Sequence, residues 1–451
     1  MTRLINSLVT RLIPLLVLLA TVGGVIPSHA QKLPDQSSDK TLGVVNCASS
    51  LCHGSVSTWP SSPVTQNEYV VWSRLDKHAR AYNVLLNDRS RSIASKLGLA
   101  KPAHQSKECL DCHAHNPVTE RADARHKITD GVSCEGCHGP AGPWIASHTA
   151  PDVKHADNLA HGLYPSESPQ ARAKLCMSCH FGTSEKYVNH RTMAAGHPRL
   201  SFELATFTNL QPAHFTVDKD YVQRKGANTN NHAKVWALGQ ALAVSTQMDI
   251  LVDPVRGRDG VFPELTLFDC HSCHHPMADQ RWKPRTAFGS SIAPGLVRLN
   301  DGNALMLRLV LRQLDVDLYN RFTQATQDLN KALAGTGQLK DKALLLRQQA
   351  QAASEKIDTS AFDGNTLRAM ALMLIDDGLG GLYPDYSGAE QATMALGSLS
   401  SAMQQTGSLN NASAYNKGLA RLREVLVKDE AYKPAEFVSR LREFRTLVAA
   451  R

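Results

Sequence analysis

The rhythm of apolar residues in this chain changes near residue 290. From about residue 294 onward they recur at helical spacing. Leu305, Leu309, Leu311, Leu314, Leu318 and Phe322 follow one another mostly at three- and four-residue steps, the mark of one buried helix face. Further helices are predicted near 339–357, 366–376, 389–403, 412–428 and 435–449. The last begins at Pro434, whose fixed φ and missing N–H suit the first helical position. Gly378-Leu-Gly-Gly381 and Pro384 interrupt the series. The expected product over residues 291–451 is an all-α antiparallel bundle. Met370, Met373, Met394 and Met403 fall on these helices and read as core residues rather than metal ligands.

Upstream, residues 31–290 are rich in Gly, Pro, Ser and Asn and show little sustained periodicity. Helices are predicted there only over 69–83, 204–207 and 233–247. The fold class is therefore mainly α: a loop-rich domain of short helices followed by the bundle. The first segment has too few patterned apolar residues to offset the entropy of ordering its backbone unaided. At the N-terminus an apolar run, Leu12 to Ile26, follows Arg3 and Arg11 and precedes the small-x-small site Ser28-His29-Ala30. This predicts a signal peptide over residues 1–30 and a mature chain starting at Gln31. The run is short for a membrane span and no other stretch approaches one, so no transmembrane anchor is expected after cleavage.

The cysteines show what could complete the loop-rich segment. There are ten, and all fall into five signatures. Four are Cys-x-x-Cys-His: Cys109/Cys112/His113, Cys134/Cys137/His138, Cys176/Cys179/His180 and Cys270/Cys273/His274. The fifth, Cys47-Ala-Ser-Ser-Leu-Cys52-His53, is a stretched form. We number them in chain order, so motif 1 is the stretched one and motif 5 holds His274. A disulfide scaffold gives no reason for the histidine after each second cysteine. Zinc fits poorly without paired downstream knuckles. Covalent haem explains every residue: the two thiols bond the vinyl groups and the adjacent histidine ligates the iron. The expectation is five covalently bound haem c groups, with the cofactors supplying much of the missing core. Haem c is attached outside the cytoplasm, which agrees with export and places the protein in the periplasm, at the outer membrane or outside the cell.

Charge adds one exclusion. The formal net charge is +8 and falls to about +6 without Arg3 and Arg11; ten haem propionates would bring the holoprotein to about −4. The Lys and Arg residues are scattered, so neither nucleic acid nor anionic lipid is an expected partner.

Each iron needs a second axial ligand if it only carries electrons, and an open position if it does chemistry. Apart from the five proximal histidines and His29, histidines stand at 78, 104, 115, 126, 148, 155, 161, 190, 197, 214, 232, 271 and 275. His78, His148, His190 and His197 stand out as candidate distal ligands. His78 lies on a predicted helix with an aromatic flank. His148 follows motif 3 and Trp144. His190 and His197 frame a segment just after motif 4, with Met193 a less favoured donor between them. His271 and His275 are too constrained by motif 5. The short gap between His113 and Cys134 predicts that motifs 2 and 3 are neighbours.

At Gly131-Val-Ser-Cys134-Glu-Gly-Cys137-His138-Gly-Pro140, and at the Trp72…His78-Ala element, the chain resembles the cytochrome c554 family. That family sits in the wider multihaem group of hydroxylamine oxidoreductase and pentahaem nitrite reductase. The resemblance covers about residues 45–275. It implies that His148 caps the haem of His53, that His78 caps the haem of His138, and that the second iron, that of His113, is five-coordinate. This chain departs from the family in its fifth motif, its stretched first motif and its helical C-terminal part. It lacks the Cys-x-x-Cys-Lys of nitrite reductases. Two functions follow: a pentahaem carrier in an exported respiratory chain, linking a quinol-side donor to a terminal reductase or other cytochromes, or an oxidoreductase of a small nitrogen or sulfur species at one five-coordinate haem. The motifs mark no catalytic residue, and the carrier is the favoured reading.

Overall fold

The computed structural model describes residues 32–60, 64–216, 232–275, 288 and 298–449. The expected signal peptide and the predicted boundary near residue 290 lie outside these residues. Short helices carry the first part: α1 (Glu68–Leu75), α2 (Ala81–Val84), α3 (Asp88–Leu97), α4 (Lys107–His113), α5 (Cys134–His138), α6 (Ile145–His148), α7 (His155–Ala160), α8 (Pro169–His180), α9 (His190–Ala194) and α10 (Leu204–Leu210). Longer ones follow: α11 (His232–Val252), α12 (Gly302–Leu314), α13 (Val316–Lys331), α14 (Leu339–Thr359), α15 (Gly364–Leu379), α16 (Tyr386–Gln405), α17 (Ala412–Glu424) and α18 (Pro434–Ala449). Among the described residues the strands are β1 (Arg258–Asp259) and β2 (Phe262–Pro263), an antiparallel pair. The fold is mainly α, as expected.

The predicted helix over 69–83 is broken. Asp76 adopts an extended backbone (φ −80°, ψ 130°), ending α1. Its carboxylate accepts the backbone N–H of His78 at 2.9 Å and starts a new turn at Lys77–Arg80. This bend, a cap competing with helix propagation, re-aims His78. The apolar run from Leu305 to Phe322 is likewise two helices. Asp315 leaves α12 in an extended conformation and caps α13 through the Leu318 N–H at 2.9 Å.

Helix α11 organises the core. Nearly all its residues are buried, Trp236 completely, and it packs on α8, α10, α12, α14 and α16. By length and composition it could cross a membrane, but its surface is covered by protein, as for the core helix of a larger assembly of helices. Its small residues admit close neighbours: a Cβ at Gly239 would lie 2.9 Å from the Cβ of Leu204 on α10. The main apolar cluster extends from Ala173 to Val448, so α8, α10 and α11 share one core with α12 to α18. Glu203, buried, caps α10 through the N–H groups of Ala205 and Thr206 at 2.7 and 2.8 Å. It also accepts the Ser398 hydroxyl of α16 at 3.0 Å. By contrast, the segment holding motifs 1 to 3 owns a small cluster only: Tyr82, Leu85, Ala94, Ala103, Leu110 and Ala114.

Candidate haem-binding site

Helical geometry explains the motif spacing. In α4 and α5, and at the end of α8, residues i, i+3 and i+4 share a face, so both cysteines and the histidine point the same way. The stretched motif is not helical. A turn closed by Cys52 N–H to Ser49 O (2.9 Å) folds the extra residues back, and His53 N–H reaches Cys47 O at 3.2 Å. All ten cysteines are free thiols, so no disulfide competes for them.

Cysteine burial sets motif 5 apart from the other four. Nine of the ten thiols belong to half-buried residues, but Cys273 is exposed. The reason is local. Motif 5 is a single tight turn over Cys270–Ser272, begun by Asp269, rather than the end of a longer helix. Within that turn the inward position goes to His271, which is buried, and Cys273 falls on the outer side. Cys270 remains half-buried one turn earlier. A thioether at Cys273 would therefore sit at the surface, with one edge of its macrocycle near solvent.

Each proximal histidine faces another histidine. Ring centres are 6.0 Å apart for His53 and His148, 6.4 Å for His113 and His197, and 6.2 Å for His138 and His214. They are 5.9 Å apart for His180 and His78, and 6.2 Å for His274 and His190. A metal–imidazole bond is about 2 Å and the ring centre lies about 1 Å further, so two imidazoles across one metal ion stand about 6 Å apart. The rings therefore fit an iron between them.

Hydrogen bonds at the other ring nitrogen support the same orientation. Nδ1 of His113 donates to Ala81 O at 3.1 Å and Nδ1 of His197 to Pro198 O at 2.8 Å. Nδ1 of His53 meets Glu68 Oε2 at 3.0 Å, and Nδ1 of His78 meets Asp76 Oδ1 at 2.8 Å. A ring that donates from Nδ1 keeps its lone pair on Nε2, free for a metal. The Glu68 bond raises the pKa of His53, and the Asp76 bond raises that of His78. Burial pushes the Asp76 carboxyl up, but the bonds from His78 and Gln211 outweigh it and hold the group at about 2. Burial, with His78 and His113 nearby, lowers His180 to about 4, keeping the ring in the neutral form that ligates.

Packing fixes the rings further. Phe202 stacks on His180 at 4.8 Å, and Trp144 meets His148 edge-on at 5.6 Å. Gly131 has a positive φ of 68°, and a Cβ there would lie 2.5 Å from the His78 carbonyl. That close approach lets Val132 N–H bond the same carbonyl at 3.0 Å, joining His78 to the segment entering motif 3. Glu135, buried inside motif 3, gathers the N–H groups of Leu42, Gly43 and Ala141 at 2.7–2.8 Å and ties the N-terminal segment down.

The pairing agrees with the resemblance at His53–His148 and differs elsewhere. His78 faces His180 of motif 4, not His138, because the break at Asp76 turns it that way. His138 faces His214, which sequence reasoning did not single out. His113, expected to hold an open iron, faces His197. His214 lies in a loop after α10, its only cue the adjacent Phe215, whose ring meets it at 5.9 Å. Surplus histidines are engaged otherwise: His115 with Thr41 Oγ1 (3.0 Å), His155 with Glu167 (2.6 Å), and His271 edge-on against Tyr386 (6.3 Å). His115 and His126 also stand 5.7 Å apart, so separation alone is not diagnostic; they belong to no motif, and the Thr41 bond occupies Nε2 of His115. Thiol contacts join motif 1 to motif 3 (Cys47 with Cys134) and motif 2 to motif 4 (Cys112 with Cys179). Motifs 2 and 3 also adjoin, with His115 N–H on Gly131 O at 2.8 Å.

The donor set suits haem c: paired free thiols at haem spacing, a histidine beside each pair, and a second imidazole opposite. No curated protein and no solved structure matched the chain. Residues 46–139, which contain motifs 1 to 3, match the family model described as cytochrome c554 and c-prime. Over these residues the chain is similar to the cytochrome c554 family, which supports a c-type cytochrome with covalently bound haem c and a part in electron transfer.

Proposed function

We propose that the chain is a pentahaem electron carrier in which every iron is held between two histidines. The observation that carries this reading is the set of five ring pairs at 5.9–6.4 Å, each containing the histidine of a different motif. Haem c with both axial positions filled by imidazole supplies an iron that accepts and releases one electron without binding substrate. The chain's own part is to hold the imidazoles still. Backbone carbonyls and carboxylates fix the Nδ1 edges, aromatic rings pack the faces, and the cysteines hold the macrocycle edge. Little atomic motion then accompanies a change of charge, which suits transfer rather than catalysis.

Residues 31–290 carry the cofactors in this reading. Residues 291–451 form a helical support whose core is shared with α8, α10 and α11. Cleavage of residues 1–30 delivers the protein to the periplasm, the outer membrane or the exterior, where haem c is attached. Its partners are redox proteins, a quinol-side donor on one side and a terminal reductase or other cytochrome on the other. Nucleic acid has no part. The oxidoreductase alternative needs an open iron, and the ring pairs leave each motif histidine with an imidazole opposite. Carbon monoxide separates the two, because it binds ferrous haem only at an open position. The fully reduced holoprotein, carrying five haems per chain by pyridine haemochrome, should keep its visible spectrum unchanged under carbon monoxide. A carbon monoxide adduct of about one haem in five would establish the oxidoreductase reading.

A further inference from the structure

Two of the ring pairs have a carboxylate at hydrogen-bond distance from a ring nitrogen, a third has Asp259 4.0 Å from Nδ1 of His190, and one has carbonyls only. Glu68 Oε2 takes Nδ1–H of His53 at 3.0 Å, while its other oxygen is held by Thr65 Oγ1 at 2.8 Å and the Gln66 N–H at 3.1 Å. Asp76, buried, takes Nδ1–H of His78 at 2.8 Å, and its second oxygen accepts Gln211 Nε2 at 3.0 Å. In the His113–His197 pair, both Nδ1 groups donate to backbone carbonyls, those of Ala81 and Pro198. A carboxylate draws the ring proton much more strongly than an amide carbonyl does. The imidazole then gains imidazolate character, donates more electron density through Nε2, and favours ferric over ferrous iron.

Resting on the two-histidine reading above, we propose that Glu68 and Asp76 are positioning residues that set the potentials of the carrier. They make the irons of motif 1 (His53–His148) and motif 4 (His180–His78) low in potential relative to motif 2 (His113–His197). Electrons arriving at motif 4 then pass to motif 2, with which it is in contact through Cys179 and Cys112. Lys186 sits between these two motifs, its Nζ 3.0 Å from Asp111 O and 3.7 Å from Cys179 Sγ, and is ion-paired to Asp35 at 2.6 Å. It bears on both irons and does not separate them.

Potentiometric titration of the holoprotein, followed by low-temperature EPR, tests this with three variants. Glu68→Gln and Asp76→Asn keep the shape and a hydrogen-bond acceptor but remove the charge. Each should raise one potential by at least tenfold in its redox equilibrium, about 59 mV for a one-electron couple, and leave the other four in place. The signal that moves identifies the iron. It should come from the near-parallel pair in Glu68→Gln (15° between rings) and from a near-perpendicular pair in Asp76→Asn (89°). Gln211→Leu removes a donor from Asp76, strengthens its pull on His78, and should lower the same potential that Asp76→Asn raises. Structural damage would not produce opposite signs at one iron. Five unmoved potentials in variants that retain five haems, or movement confined to motif 2, would overturn the proposal. Failure of the two-histidine reading would show separately, as a high-spin signal in the unmodified protein.

Discussion

An imidazole has two nitrogens, and whatever holds one decides what the other can bind. At His113 and His197 a backbone carbonyl holds Nδ1, and at His53 and His78 a carboxylate does. The proximal residues were legible because attachment is local: Cys-x-x-Cys-His needs only one helical turn, and Cys109, Cys112 and His113 read as such at sight. Exposure was not legible in the same way. Cys273 has the same motif around it as Cys112, yet it lies at the surface. The distal residues are joined to their partners by the tertiary fold. His148, whose ring faces that of His53, was singled out through its place after Cys-His-Gly-Pro. His78, His190 and His197 were recognised as candidates; the resemblance paired His78 with His138, whereas its ring faces His180, and it left His113 open, whereas that ring faces His197. His214 was missed, since neither a motif nor a regular element surrounds it. It is also the residue whose role is most simply checked. His214→Met would set a thioether opposite His138. One of five near-infrared charge-transfer bands should move from bis-imidazole to imidazole–thioether, and that iron's potential should rise, because a methionine ligand favours the ferrous state. Five unchanged bis-imidazole bands would remove His214 from the ligand set.

Among elements, the helices of the C-terminal part were readable because each buries one face: the predicted stretches 339–357, 389–403 and 435–449 lie within Leu339–Thr359, Tyr386–Gln405 and Pro434–Ala449. The breaks were not readable. Asp76 and Asp315 interrupt apolar patterns that continue in register on either side, and only their capping bonds reveal the turn. Glu203 shows how one cap ties two elements together. It starts α10, beside the stacked Phe202, and reaches Ser398 on α16. Glu203→Ala would leave two N–H groups and two hydroxyls, those of Thr206 and Ser398, without this acceptor, at a cost of about 1–3 kcal/mol. Burial also raises the Glu203 carboxyl above its ordinary value of 4.5, more than its hydrogen bonds lower it. A raised folded-state value means the contribution to stability is full below about 4.5 and is lost as pH rises through the folded value. Glu203→Gln, uncharged throughout, should therefore gain in melting temperature relative to the unmodified protein as pH increases above that point. A difference that stays constant with pH would show that the carboxyl titrates as in the unfolded chain.

For the whole molecule, the change of rhythm near residue 290 separates patterned from unpatterned sequence, yet the apolar core runs on from Ala173 to Val448. Periodicity detects helices but not which of them share a core, so α11, predicted over 233–247, gave no sign that it packs with the C-terminal helices. The sparse core around motifs 1 to 3 is what a segment built about large flat cofactors should leave, but the unpatterned segment expected over 31–290 also includes α8, α10 and α11, which belong to the main core. The ring pairs lead to one central claim, that no iron in the molecule is open. Low-temperature EPR with near-infrared magnetic circular dichroism on the oxidised holoprotein tests it directly. The account predicts five low-spin bis-histidine haems and no high-spin signal. Ring orientation lifts the degeneracy of the iron d orbitals, so the line shapes are also specified. The near-parallel His53–His148 pair (15°) should give an ordinary rhombic signal. The His78–His180, His113–His197 and His138–His214 pairs (77–89°) should give highly anisotropic ones. A high-spin haem in the intact protein would contradict the account and make the open iron, not the chain of closed ones, the centre of its function.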